Sequence, residues 1–139
     1  MKVAVLVVLV IAAVIGGAWL YRMYELHGVW ELTVQDLRHK PVASLRVRFT
    51  DKAARSCRGG SWKQLVVEHF SSTGEPRFPG ADPLSYRIEG RTLTIGRNEI
   101  CDAYIGLSGV LSPGHLEGDY YSWGEGGTIP LGFVVGTSK

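Results

Sequence analysis

The stretch from Tyr104 to Val135 constrains this chain most. It reads YIGLSGVLSPGHLEGDYYSWGEGGTIPLGFVV, three runs of mostly alternating apolar and polar residues separated by Ser112-Pro113-Gly114 and Gly124-Glu125-Gly126-Gly127. Alternation with period two marks half-buried strands, and clusters of Gly, Pro and Ser mark tight turns. In the third run Ile129, Leu131, Phe133 and Val135 share one face and are expected to point into a core, with Pro130, Gly132, Val134 and Gly136 on the other. Glycine recurs inside these strands at Gly106, Gly109, Gly118 and Gly132. There it costs stability unless the backbone bends sharply or a second backbone comes close. A sheet curling into a small closed barrel needs both.

The preceding residues continue the pattern. Trp30, Leu32 and Val34 alternate with Glu31, Thr33 and Gln35; after the turn at Lys40-Pro41, Leu45, Val47 and Phe49 alternate with Ser44, Arg46, Arg48 and Thr50. Arg46 and Arg48 therefore point outward. A third strand, Trp62 to Phe70, has no readable register because Leu65, Val66 and Val67 are all apolar. Ser71 to Pro83 carries three prolines and two glycines and reads as a surface loop, a candidate lid or contact segment. A hairpin follows, with Leu84, Tyr86 and Ile88 on one strand, Gly90 at the turn, and Leu93 and Ile95 on the other. Eight short strands joined by short connections predict an all-β domain, an eight-stranded up-and-down antiparallel barrel over residues 28–139.

The N-terminal part, residues 1–24, is different. Val3 to Leu20 is an unbroken apolar run of 18 residues. As a helix it spans ~27 Å, close to the hydrocarbon thickness of a bilayer. Trp19, Tyr21, Tyr24 and Arg22 resemble an interfacial belt, which favours a retained transmembrane anchor; Gly16-Gly17-Ala18 leaves a cleaved signal peptide as the alternative. Either way the domain is expected to face the periplasm or the cell exterior. In such a compartment Cys57 and Cys101, the only two cysteines of the 139 residues, are expected to pair. Closing that loop contributes on the order of 4 kcal/mol in the chain-entropy model.

Charge is unevenly placed although the net value is only +2. Between Arg38 and Lys63 eight basic residues stand against Asp51 alone, and Arg46, Arg48, Arg55 and Arg58 form a candidate contact wall. From Asn98 to Gly136 there are five acids and no Lys or Arg. The plain reading is two solvated faces that attract each other in the fold; an anionic head group or envelope polymer is the functional alternative for the basic one. Nucleic acid is not expected as a partner of an exported domain.

Gly28-Val29-Trp30 at the start of the first strand resembles the Gly-x-Trp motif of lipocalin and calycin barrels. Leu107-Ser108-Gly109, Leu116-Glu117-Gly118 and Leu131-Gly132-Phe133 are similar to the apolar-x-Gly pattern closing small bacterial lipocalin-like domains. The resemblance implies an interior that holds one small apolar ligand or is filled by its own side chains. Trp30, Phe49, Tyr86 and Phe133 are the large residues expected there and form the candidate ligand-binding set.

Catalysis finds little support. His27, His39, His69 and His115 lie in no metal-binding spacing, and no nucleophile elbow is present. Glu117 and Asp119 are spaced as any solvent-facing strand pair, and the loop Gly124 to Gly127 lacks the following helix that would bind phosphate. Neither a cofactor nor a metal is expected. Two non-enzymatic functions remain: a membrane-tethered binding module for a small apolar ligand or lipid, and an interaction subunit or inhibitor of a cell-envelope complex that uses a filled barrel as scaffold.

Overall fold

A computed structural model describes residues 26, 28–56, 58–73, 83–98 and 104–139. The apolar run at 3–20, Cys57, Cys101 and most of the long loop lie outside the described residues, so the anchor and the disulfide stay expectations.

The described strands are β1 (Val29–Asp36), β2 (Pro41–Ala53), β3 (Lys63–Ser72), β4 (Leu84–Glu89), β5 (Thr92–Arg97), β6 (Tyr104–Ser112), β7 (His115–Gly124) and β8 (Gly127–Ser138). Each pairs antiparallel with the next, and β8 returns to pair with β1, which closes the barrel. Every described strand thus has a neighbour on both sides, although β3 pairs with β4 only from Lys63 to Leu65. β1 begins, and the chain ends, at one mouth of the barrel, here the entry end. The β1–β2 and β7–β8 turns lie at the far end.

Alternation decides what lies inside. On β1 and β2 the buried residues include Trp30, Leu32, Val34, Leu45, Val47 and Phe49, as the sequence predicts, together with Ala43, and Arg46 and Arg48 are exposed. The missing register of β3 has a local cause. Arg46 pairs with His69 but Val47 pairs with Val67, so Glu68 is an extra residue, a β-bulge. The core-facing residues are consequently Leu65, Val67 and Phe70, spaced two and then three apart, while Val66 is exposed.

β8 corrects the sequence reading. Val134 is fully buried and pairs with the equally buried Val34, whereas Ile129 is 58% exposed. The inward set is thus Gly132, Val134 and Gly136, opposite to the expectation for Phe133 and Val135. Two features produce the inversion. Tyr120 pairs with Gly132 and Tyr121 with Pro130, which makes Leu131 a bulge residue that still packs on the core. The inward positions are also glycines because space is short: a Cβ on Gly132 would collide with the Gln35 carbonyl, and one on Gly136 would stand 2.7 Å from Leu32 Cδ2. Hydrophobicity alone points to the larger residues. The backbone approach requires the smaller ones.

Gly109 and Gly118 pair across β6 and β7, also facing inward. A Cβ on Gly118 would run into the Ser108 carbonyl and the Gly109 Cα, both backbone. Close approach is therefore what the strand glycines supply.

The β1–β2 turn shows how a side chain fixes a hairpin. Asp36 Oδ1 accepts the backbone N–H groups of Arg38 at 2.8 Å and Lys40 at 2.9 Å, which lets His39 adopt a φ of 60°. The Lys40 N–H, aided by that of Arg38, holds the Asp36 carboxyl below its ordinary value. A depressed carboxylate stabilises the fold above the unfolded-state value and loses that contribution as pH falls through the folded-state value. Asp36→Asn is expected to flatten the acid limb of a thermal-stability profile, measured by circular dichroism, while changing the midpoint little near neutrality.

Candidate binding surfaces

Three places on the barrel are candidate sites. The first is the barrel interior. Trp30, Phe49 and Tyr86 meet at the entry end: Phe49 packs edge-on against Trp30, with centroids 5.9 Å apart, and against Tyr86 at 4.9 Å. Both geometries are favourable for aromatic rings. The Tyr86 hydroxyl donates to the Thr50 carbonyl at 2.8 Å, which anchors the trio to the wall. Leu26, just before the barrel, is buried in the same core. Phe133, the fourth member of the expected set, lies outside and stacks on His39 with centroids 4.3 Å apart.

Every strand contributes an inward side chain that is at most 5% exposed, from Val34 on β1 to Val134 on β8. Side chains buried to this degree are packed against one another, and among the described residues they make up a filled core. One polar atom there stands out. The Trp30 indole N–H has no hydrogen-bond partner among the described residues.

Burial raises the Tyr86 phenol above its ordinary value of about 10. A raised acid contributes stability below the unfolded-state value and loses it as pH climbs through the folded-state one. Tyr86→Phe should therefore remove part of the alkaline decline in thermal midpoint, at the cost of the Thr50 hydrogen bond near neutrality.

The second place is the arginine wall. Folding brings Glu31 and Glu68, which lie outside the basic stretch of sequence, to it, and Asp51 within the stretch is paired as well. Arg46 pairs with Glu31 at 2.9 Å, Lys139 joins the same carboxylate at 3.1 Å, Arg48 pairs with Glu68, and Lys63 with Asp51 at 2.9 Å. Arg46, then Lys139, holds the Glu31 carboxyl below its ordinary value. Arg58 is not part of this face. Its guanidinium sits 4.7 Å over the Trp62 ring, with Arg87 at 5.1 Å from the same ring. Arg55 is exposed nearby in sequence. Arg58, on the Trp62 ring, is thus separate from Arg46 and Arg48, and the cross-strand acids cancel much of the charge that the sequence places there.

No protein-family model, curated protein or solved structure matches this chain. The closed eight-stranded antiparallel barrel is compatible with a lipocalin-like fold.

The third place is an open groove of about 450 Å³ on the outer face of β6, β7 and β8, toward the far end. Asp119, Tyr121 and Trp123, at every second position of β7, line it together with Ser108, Thr128 and Pro130. The Tyr121 ring lies across β6: its hydroxyl is 3.0 Å, and its Cζ 3.1 Å, from where a Cβ of Gly106 would stand. An aromatic ring thereby covers a strand glycine from outside. Trp123 is 40% exposed. The signal for this groove was present in the alternation of β7, but a strand turned to solvent with a charge on it reads as an ordinary solvated face. Among the described residues no three His, Cys, Asp or Glu side chains come together as a metal site.

Proposed function

We propose that this chain is a non-enzymatic recognition module whose barrel is a solid scaffold, held at a membrane by residues 3–20 and facing the periplasm or cell exterior. Binding then takes place on the outer wall. The observation carrying this reading is the filled interior: the aromatic residues that a lipocalin-like pocket would offer to a ligand contact each other instead. Fold alone does not choose, since one barrel hosts many functions. The partner class is an envelope protein or polymer reached from the exposed strands and the long loop.

A second reading, a lumen that takes a small apolar ligand or lipid, draws support from the unpartnered Trp30 N–H, which could donate to a ligand acceptor. Native mass spectrometry of the full chain, purified from membranes in micelles and released in the gas phase, separates the two. The scaffold reading predicts the bare polypeptide mass after delipidation and re-exposure to a lipid extract. A lipid retained at one per chain, and lost in Trp30→Phe, would establish the lumen reading instead.

A further inference from the structure

We propose that the outer groove over β6, β7 and β8 is a saccharide site for short neutral or amino sugar chains; this extends the scaffold reading by naming a ligand class for its outer wall. A pyranose ring is amphipathic. Its C–H faces prefer an aromatic plane, and its rim of hydroxyls needs both donors and acceptors around that plane. The groove offers this combination in one place. Trp123 supplies an exposed indole, and Tyr121, whose ring lies over Gly106, lines the groove beside it. The two residues are two positions apart on one strand, ~7 Å, so adjacent sugar rings can use both. The Asp119 carboxylate accepts hydroxyl protons, and the Ser108 and Thr128 hydroxyls both donate and accept. The volume, about 450 Å³, falls in the range of small-molecule sites.

Charge narrows the ligand. Of the residues lining the groove Asp119 alone is charged, so an anionic sugar is repelled and a cationic amino sugar tolerated. A proline-rich peptide, the other ligand that favours Trp and Tyr ridges, presents carbonyl acceptors along its backbone and wants donors. The Asp119 carboxylate, which only accepts, gives such a backbone nothing to bind. Position also counts: the groove lies toward the end of the barrel opposite to where the chain enters β1, directed away from a membrane that holds the N-terminus.

Titration of the full chain, in a detergent without a sugar head group, with chitosan trisaccharide, triacetylchitotriose and cellotriose tests this by tryptophan fluorescence and saturation-transfer NMR. At least one is expected to bind with a Kd on the order of 1 mM or tighter, with saturation transfer from Tyr121 and Trp123 to the sugar C–H protons. Trp123→Ala should weaken it about tenfold or more, the size of a lost aromatic anchor, and Asp119→Asn should weaken it with the thermal midpoint retained. A sulfated trisaccharide should bind more weakly than its neutral parent. Absence of saturable binding by all three sugars, binding unaffected by Trp123→Ala, or binding of a proline-rich peptide at this face without sugar binding would each overturn the assignment. Native mass spectrometry keeps the two readings apart. Lipid retained with sugar bound removes the scaffold and leaves the groove, whereas bare chain with no sugar binding does the reverse.

Discussion

Gly118→Ala is expected to abolish barrel closure: the variant accumulates as aggregate or shows no cooperative thermal transition. The added methyl would occupy the space of the Ser108 carbonyl and the Gly109 Cα. Overpacking a core normally costs about 1–3 kcal/mol because side chains can shift. Here the obstructing atoms are backbone of the paired strand, and moving them breaks the β6–β7 ladder from Ser108↔Asp119 to Val110↔Glu117. Against a total stability of about 5–15 kcal/mol, that loss is a large fraction. If the protein still folds, its melting temperature should fall by ~10 °C or more. Gly126→Ala is the control. It sits in the β7–β8 turn with nothing within 4 Å of an added Cβ, and should unfold like the parent. A Gly118→Ala protein with parental melting would mean that β6 and β7 are farther apart than described.

Phe49→Ala carries the second large effect, a loss of about 3–5 kcal/mol for a buried phenylalanine. Phe49 is the middle ring of the Trp30–Phe49–Tyr86 trio, so its removal leaves two aromatic faces without a neighbour and a void between them. Chemical denaturation should show a lower midpoint with an unchanged slope. The result also discriminates between functions. In a ligand-holding barrel the residue would line an open space, and truncation would cost less and alter binding more.

Much of the fold is legible in the sequence because each strand presents one apolar face. Strands β1, β2, β4 and β5 follow simple alternation, and their inward residues can be named directly from Trp30, Leu45, Tyr86 and Ile95. Legibility fails where a bulge shifts the period. Glu68 on β3 and Leu131 on β8 each add one residue against the partner strand, and the apolar pattern then changes face within a strand. It also fails where packing selects for absence of a side chain. Gly132 and Gly136 are inward because Gln35, Leu32 and Leu116 leave no room, a fact about neighbouring strands that local sequence does not contain.

The candidate sites divide along the same line. Trp30, Phe49 and Tyr86 converge as their alternation implies, but Phe133 follows the inverted register of β8 and stacks on His39. The arginine wall looks strongly basic in sequence because Glu31 and Glu68 lie outside the counted segment and meet it only through strand pairing. The outer groove needs three adjacent strands. Asp119, Tyr121 and Trp123 are visible as one face of β7, whereas Ser108 and Thr128 join them only once β6 and β8 are placed on either side.

The central claim is that the barrel interior is occupied by its own side chains. Nuclear Overhauser contacts in the full chain, selectively labelled on aromatic rings and methyl groups in deuterated micelles, test it most directly. The account predicts cross-peaks from the Phe49 ring to both the Trp30 and Tyr86 rings, and between the methyl groups of Val34 and Val134, with Phe133 contacting His39. Cross-peaks from the Trp30, Phe49 and Tyr86 rings to a bound acyl chain, with the ring-to-ring contacts missing, would contradict it.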